Sequence, residues 1–126
     1  MSTRTRTPAH TVAKPTRTTD GRFAFDVLRQ EGPVLVDFYA SWCPSCQHLE
    51  PVLDELANEW AGLVRIVKLD VERNRATADR YGVRGIPTLI LFEGGVEQHR
   101  LVNVVKRQRI EDELGDHLVT ALGLRD

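Results

Sequence analysis

Apolar residues recur along this chain in two rhythms, a helical period and short continuous runs, and each predicts an element. Asp20 stands where it can cap a first helix to about Gln30, with Phe23, Val27 and Leu28 on one face and Gly32-Pro33 to end it. The run Val34 to Tyr39 is apolar at every position but Asp37, which suits a central strand covered on both faces. A longer helix is predicted from about Cys43 to Trp60, because Leu49, Leu53, Leu56 and Trp60 recur at core spacing; Pro51 inside it predicts a kink. Leu63 to Leu69 reads as a second interior strand. Asn74 is placed to cap a short helix to about Tyr81, and Pro87 precedes a strand through Phe92. Gly94-Gly95 turns the chain into a strand from Val96 to Val105, and Ile110, Leu114, Leu118 and Leu122 mark a last amphipathic helix. The order is strand-helix-strand followed by a hairpin and a helix, an α/β arrangement without internal repeats.

The first twenty residues, MSTRTRTPAHTVAKPTRTTD, break this pattern: they are rich in Thr and basic residues, hold no acid before Asp20 and have almost nothing to bury. Such a segment does not offset its own ordering entropy. Residues 1–18 are therefore expected to be a flexible extension and 19–126 the folded domain. An edge strand is expected near Val12 to Thr18, since Pro15 is tolerated only at an edge. An organelle transit peptide is the competing reading of the leader; it lacks an amphipathic face, and a cytoplasmic protein is expected.

With 126 residues the chain is long enough to bury a core without disulfide staples, so its two cysteines are free for chemistry. Seventeen Lys and Arg nearly cancel eighteen Asp and Glu, and no basic cluster alternates with aromatics, which argues against a nucleic-acid partner. No apolar stretch reaches the roughly 20 residues that a membrane-spanning helix needs, so no membrane partner is expected either.

Those two cysteines stand in SWCPSC, behind the first interior strand and at the start of the long helix. A Cys-x-x-Cys on a strand-to-helix turn suits redox chemistry. Free N–H groups and the positive end of the helix dipole stabilise a thiolate on Cys43, bringing its pKa from about 8.5 toward 7. Cys46, one helical turn on, shares that face and is within reach of a mixed disulfide formed by Cys43. Two other readings compete. A structural zinc site wants four soft ligands, yet there is no second cysteine pair and His10, His48, His99 and His117 are scattered along the sequence. Two ordinary buried cysteines are also common, and the motif's position is what speaks against them.

Four segments, VDFYASWCPSC, PVLDELA, VKLDVERN and YGVRGIPTLILFEGG, resemble the thioredoxin family in order and spacing, across roughly residues 19 to 122. The resemblance implies the thioredoxin fold, an α/β architecture with a central mixed sheet flanked by helices on both faces, and a cis bond between Ile86 and Pro87 facing the cysteines. It also implies a buried carboxyl at Asp37 beneath Cys46, with Lys68 as its partner. A carboxyl in apolar surroundings has a raised pKa and can exchange a proton with the Cys46 thiol; a purely structural Asp37-Lys68 ion pair is the alternative. Trp42 is expected to wall one side of the site or to pack in the core. Ile86 and Pro87 would form the opposite wall, where the Ile86 backbone can pair with an extended substrate segment.

Departures from the family pattern matter as much. Pro44-Ser45 replaces the usual Gly-Pro: the proline suits the first turn of a helix, and Ser45 adds an N–H and a hydroxyl near the thiolate. A couple more oxidising than that of an ordinary thioredoxin is expected. Asn103 falls where the family has a glycine lining the substrate groove. His48 and Glu50 also differ from common residue types and are read as solvated helix surface. Lys106, Arg107 and Arg109 open the last helix against its dipole, and are read as a solvated basic turn.

The expected function is protein-disulfide reduction without a bound cofactor or metal: Cys43 attacks, Cys46 resolves, and Asp37 with Lys68 manages the proton. Trp42, Pro44, Ser45, Ile86, Pro87 and Asn103 are expected to line the substrate site. Disulfide-containing proteins are the expected substrates, a thioredoxin reductase the expected electron donor, and the protein is expected to be a monomer. The alternatives are a disulfide oxidase or isomerase, and a binding module that uses the fold only as a scaffold.

Overall fold

The computed structural model describes residues 13–121. Along them run β1 (Thr16–Arg17), a π-helical turn (Ala24–Leu28), β2 (Val34–Tyr39), α1 (Pro44–Glu59), β3 (Arg65–Asp70), α2 (Arg75–Arg80), β4 (Thr88–Glu93), β5 (Val96–Val102) and α3 (Arg107–Ala121). The strands form one mixed sheet in the order β1-β3-β2-β4-β5. β1 and β2 flank β3 in parallel, and β4 runs antiparallel to both β2 and β5.

β2 lies between two other strands and under both helical layers, which is why all six of its residues are buried, Asp37 included. Side chains alternate across a strand, so Leu35 joins Leu89, Leu91 and Ile66 on one face, beneath Leu49, Leu53 and Leu56 of α1 and Ile110, Leu114 and Leu118 of α3. Val34, Val36 and Phe38 point the other way, onto Phe23, Val27, Val67 and Phe92. Phe23, Tyr81 and Phe92 close that second core as an aromatic trio with centroids 5.2–5.6 Å apart. α1 continues through Pro51 for its full sixteen residues.

The hairpin forms where Gly94-Gly95 predicts it, with φ of 60° and 79°, the left-handed pair a two-residue turn of this hand requires. The edge strand expected near residues 12–18 appears as Thr16–Arg17, paired with Val67 and Lys68. Leu122, expected on the last helix, and His10 lie outside the described residues.

Several local expectations give way to other bonds. The first helix is one π turn, in which Arg29 N–H donates to Ala24 O at 2.9 Å, five residues back. Asp20 does not cap it: the Asp20 carboxylate accepts from Ala76 N–H (3.3 Å) and Thr77 N–H (2.9 Å) and so caps α2 from 56 residues away. Asn74 occupies the cap position of α2, yet its amide oxygen accepts from Asp20 N–H (2.8 Å) and its NH₂ donates to Asp70 O (3.0 Å). β5 stops at Val102, short of Val105, because Asn103 turns to φ 60° and donates its N–H to Pro87 O at 2.7 Å. The basic start of α3 is not simply solvated either. Arg107 is held by Glu55 and Glu59 of α1 and by Glu111, and Arg109 by Glu113, which offsets charges that oppose the dipole.

Candidate active site

At the carboxyl end of β2 the chain turns at Ala40 to Trp42 and enters α1, and the turn decides where both cysteines lie. Cys43 is the N-cap residue, extended at φ −83° and ψ 116°, and Pro44 opens the first turn, where its missing N–H costs nothing. The Cys43 sulfur takes the role a Ser or Asp oxygen usually plays there: it accepts Cys46 N–H at 3.2 Å. Ser45 Oγ stands a further 3.2 Å from the same sulfur. Burial pushes the Cys43 thiol up, but the hydrogen bonds from Cys46 and Ser45 outweigh it and hold the thiol below its ordinary value. Cys46, one turn deeper, is pushed up to about 12, first by burial and next by its contact with Cys43, with the nearby Asp37 charge adding to the rise. Both cysteines are buried free thiols, and the same structural element gives them opposite acid strengths.

Beneath them, Asp37 is 1% exposed and neither of its carboxylate oxygens has a hydrogen-bond partner among the described residues. Burial raises its pKa to about 7, against a downward pull from Lys68 and with a smaller upward push from Glu50. Lys68 is its register partner on β3, but the ammonium donates to Glu50 Oε2 at 3.3 Å and sits 4.7 Å from the Tyr39 ring centroid. Glu50 is thus exposed helix surface with an ion-pair partner, whereas His48 is exposed surface as expected.

Around the cysteines, Tyr39, Ala40, Val71 and Ile86 form the local apolar cluster. Ile86-Pro87 is cis, and Asn103 reaches this loop through its N–H bond to Pro87 O. Asn103 can stand where a glycine would be ordinary because Asn is among the few residues that tolerate a left-handed backbone. Gly85 admits the close approach of Val102, whose Cγ1 would lie 3.3 Å from an added Cβ. Trp42 is not packed in the core: it is 61% exposed, and its indole N–H donates to Glu72 Oε2 at 2.6 Å. Sequence reasoning missed Glu72, which follows β3 thirty residues on and carries no local mark of that bond.

The histidines are less scattered than the sequence suggests. His99 and His117 stack with centroids 4.9 Å apart, and His99 Nε2 lies 2.9 Å from Glu113 Oε1. Among the described residues no three His, Cys, Asp or Glu side chains gather in a way that could hold a metal ion.

A site with an acidic thiol at a helix start, a second thiol of high pKa below it and a neutral-range carboxyl beneath both can exchange disulfides. The model of the family described as Thioredoxin matches residues 14–116. The chain is 47% identical over 91 residues to "Thioredoxin" of Pseudomonas aeruginosa, covering 71% of this chain and 84% of that one. It is 40% identical over 100 residues to "Thioredoxin 1" of a Nostoc species (79% and 94% covered), and 36% identical over 100 residues to "Thioredoxin M4, chloroplastic" of Arabidopsis thaliana (79% and 52% covered).

Proposed function

The chain belongs to the thioredoxin family and is a thiol-disulfide oxidoreductase, and on that premise we propose that it reduces protein disulfides with Cys43 as nucleophile and Cys46 as resolving thiol. The observation that carries the division of labour is the Cys43 sulfur at the N-cap of α1, accepting Cys46 N–H. The Cys43 thiolate attacks one sulfur of a substrate disulfide; a mixed disulfide forms and the other substrate sulfur leaves as a thiolate that takes up a proton. Cys46 then gives its proton to the Asp37 carboxylate and attacks the Cys43 sulfur. The Cys43-Cys46 disulfide closes, the second substrate sulfur leaves, and two electrons have passed to the substrate. Exchange is carried by this dithiol-disulfide pair rather than by an external cofactor.

A carboxyl serves that transfer best when its pKa lies near working pH, and burial of Asp37 supports the role. Trp42 and Val102, both exposed, are assigned together with Ile86, Pro87 and Asn103 as the surface that receives the substrate segment; Pro44 and Ser45 tune the thiolate. A thioredoxin reductase is the proposed electron donor, the cytoplasm the proposed compartment, and a monomer the proposed state. No helix among the described residues is long and apolar enough to cross a membrane. We count β1 with the domain, since Thr16 and Arg17 pair with β3, which moves the boundary expected after residue 18 to before Thr16.

The test is turnover. With dithiothreitol or a thioredoxin reductase as donor, the protein should accelerate reduction of a disulfide-bonded protein many times over the donor alone. A rate no higher than the donor's own would refute the reductase reading.

A further inference from the structure

Lys68 faces a choice between two carboxylates. Strand register sets it beside Asp37, and strand alternation turns both side chains toward the α1 face. Its ammonium nevertheless bonds Glu50, one turn beyond Cys46 on α1, while both Asp37 oxygens lack a hydrogen-bond partner among the described residues. Glu50 is 49% exposed and Lys68 13%, and both line a cleft of about 670 Å³ together with Tyr39, Gln47 and Asp70.

We propose that Glu50 is a positioning residue for the resolving step: it draws the Lys68 ammonium toward the cleft and withholds from Asp37 the cation that would fix it as a weakly basic carboxylate. The proposal rests on the reading that Asp37 accepts the Cys46 proton. A cation at ion-pair distance lowers a carboxyl pKa by about 1 to 3. An Asp37 so paired would be too weak a base for a thiol as weakly acidic as Cys46. The groups that face Asp37 are few. Among the described residues, α1 brings Cys46 and Glu50, β3 brings Lys68, its own strand brings Tyr39, and the β4 neighbour Leu89 brings no charge. Lys68 is therefore the one cation of this set, and its placement governs the balance. Glu50 also pushes Asp37 up directly through its own charge, and the Lys68→Met background separates that push from the placement of Lys68.

The carboxyl titration of Asp37, followed by ¹³C NMR in the reduced full-length protein, tests this in wild type, Glu50→Gln, Lys68→Met and the double variant. Glu50→Gln should move the Asp37 midpoint down by about one pH unit, as Lys68 swings to the remaining carboxylate. In the Lys68→Met background the same substitution should move it by less than half as much. An unmoved midpoint in Glu50→Gln, or equal shifts in both backgrounds, overturns the proposal; equal shifts would make Glu50 a direct repelling charge and no positioner. The rate of the resolving step against pH separates this from the reading beneath it. A profile that moves with the Asp37 midpoint supports both, whereas a moved midpoint with a fixed profile keeps the positioning and removes proton transfer from Asp37.

Discussion

Ser45 Oγ stands 3.2 Å from Cys43 Sγ, in addition to the Cys46 N–H that the sulfur already accepts. A hydroxyl that donates to the thiolate stabilises the reduced protein more than the disulfide, so acid strength and redox poise move together. For a two-electron couple, 30 mV corresponds to about 1.4 kcal/mol, the scale of one charge-assisted hydrogen bond. The wild-type couple is expected between roughly −210 and −260 mV, above the −270 mV typical of thioredoxin. Ser45→Ala should raise the Cys43 pKa and make the potential more negative by on the order of 30 mV. Thiol alkylation against pH and equilibration with a glutathione buffer read the two quantities; a potential that falls while the pKa stays fixed contradicts the link.

Asp37 makes stability depend on pH in a stated direction. Its pKa rises from the usual 3.8 to about 7 in the folded chain, so between those values the folded state holds a proton that the unfolded state releases. Its contribution to stability is present below the unfolded pKa and is lost as pH rises toward 7. Asp37→Asn removes the ionisable group, and should stabilise the protein by about 2–4 kcal/mol at pH 8 and by almost nothing near pH 4. Urea unfolding of both proteins at the two pH values checks the sign. A variant less stable than wild type at pH 8 would contradict it.

Asp20 should behave as a helix cap supplied from a distant loop. A hydrogen bond from the Thr77 side chain, joined by those from the N–H groups of Thr77 and Ala76, holds its carboxyl below the ordinary range. Asp20→Ala should cost about 0.5–2 kcal/mol at neutral pH, with a smaller cost in acid, where the wild-type carboxylate is itself protonated. Denaturant titration at neutral and acid pH measures the difference, and hydrogen exchange should rise first in Arg75–Arg80.

What the sequence made legible follows from what local pattern encodes. β2, α1, β4 and the Gly94-Gly95 turn stand within a residue or two of their predicted places, because apolar period and turn chemistry are local terms. The cysteine pair was legible for the same reason. Hydrogen bonds between distant segments leave no such mark. Asp20 looked like the cap of its own helix and serves α2; Glu50 looked like free surface and binds Lys68; Trp42 found Glu72. Asn103 is visible as a departure from the family's glycine through the resemblance, but its left-handed turn is apparent only from the backbone.

Whether Cys43 attacks and Cys46 resolves is tested most directly by trapping. Each single Cys→Ser variant, mixed with a disulfide-bonded protein and analysed by intact mass under non-reducing conditions, reports which sulfur forms the mixed disulfide. Cys46→Ser should accumulate an adduct through Cys43, cleaved by dithiothreitol, because the attacking thiolate remains and nothing resolves it. Cys43→Ser should form little or none, since the Cys46 thiol is buried and pushed up to about 12. An adduct that forms through Cys46 when Cys43 is absent, at a rate equal to the reverse case, would contradict the assignment.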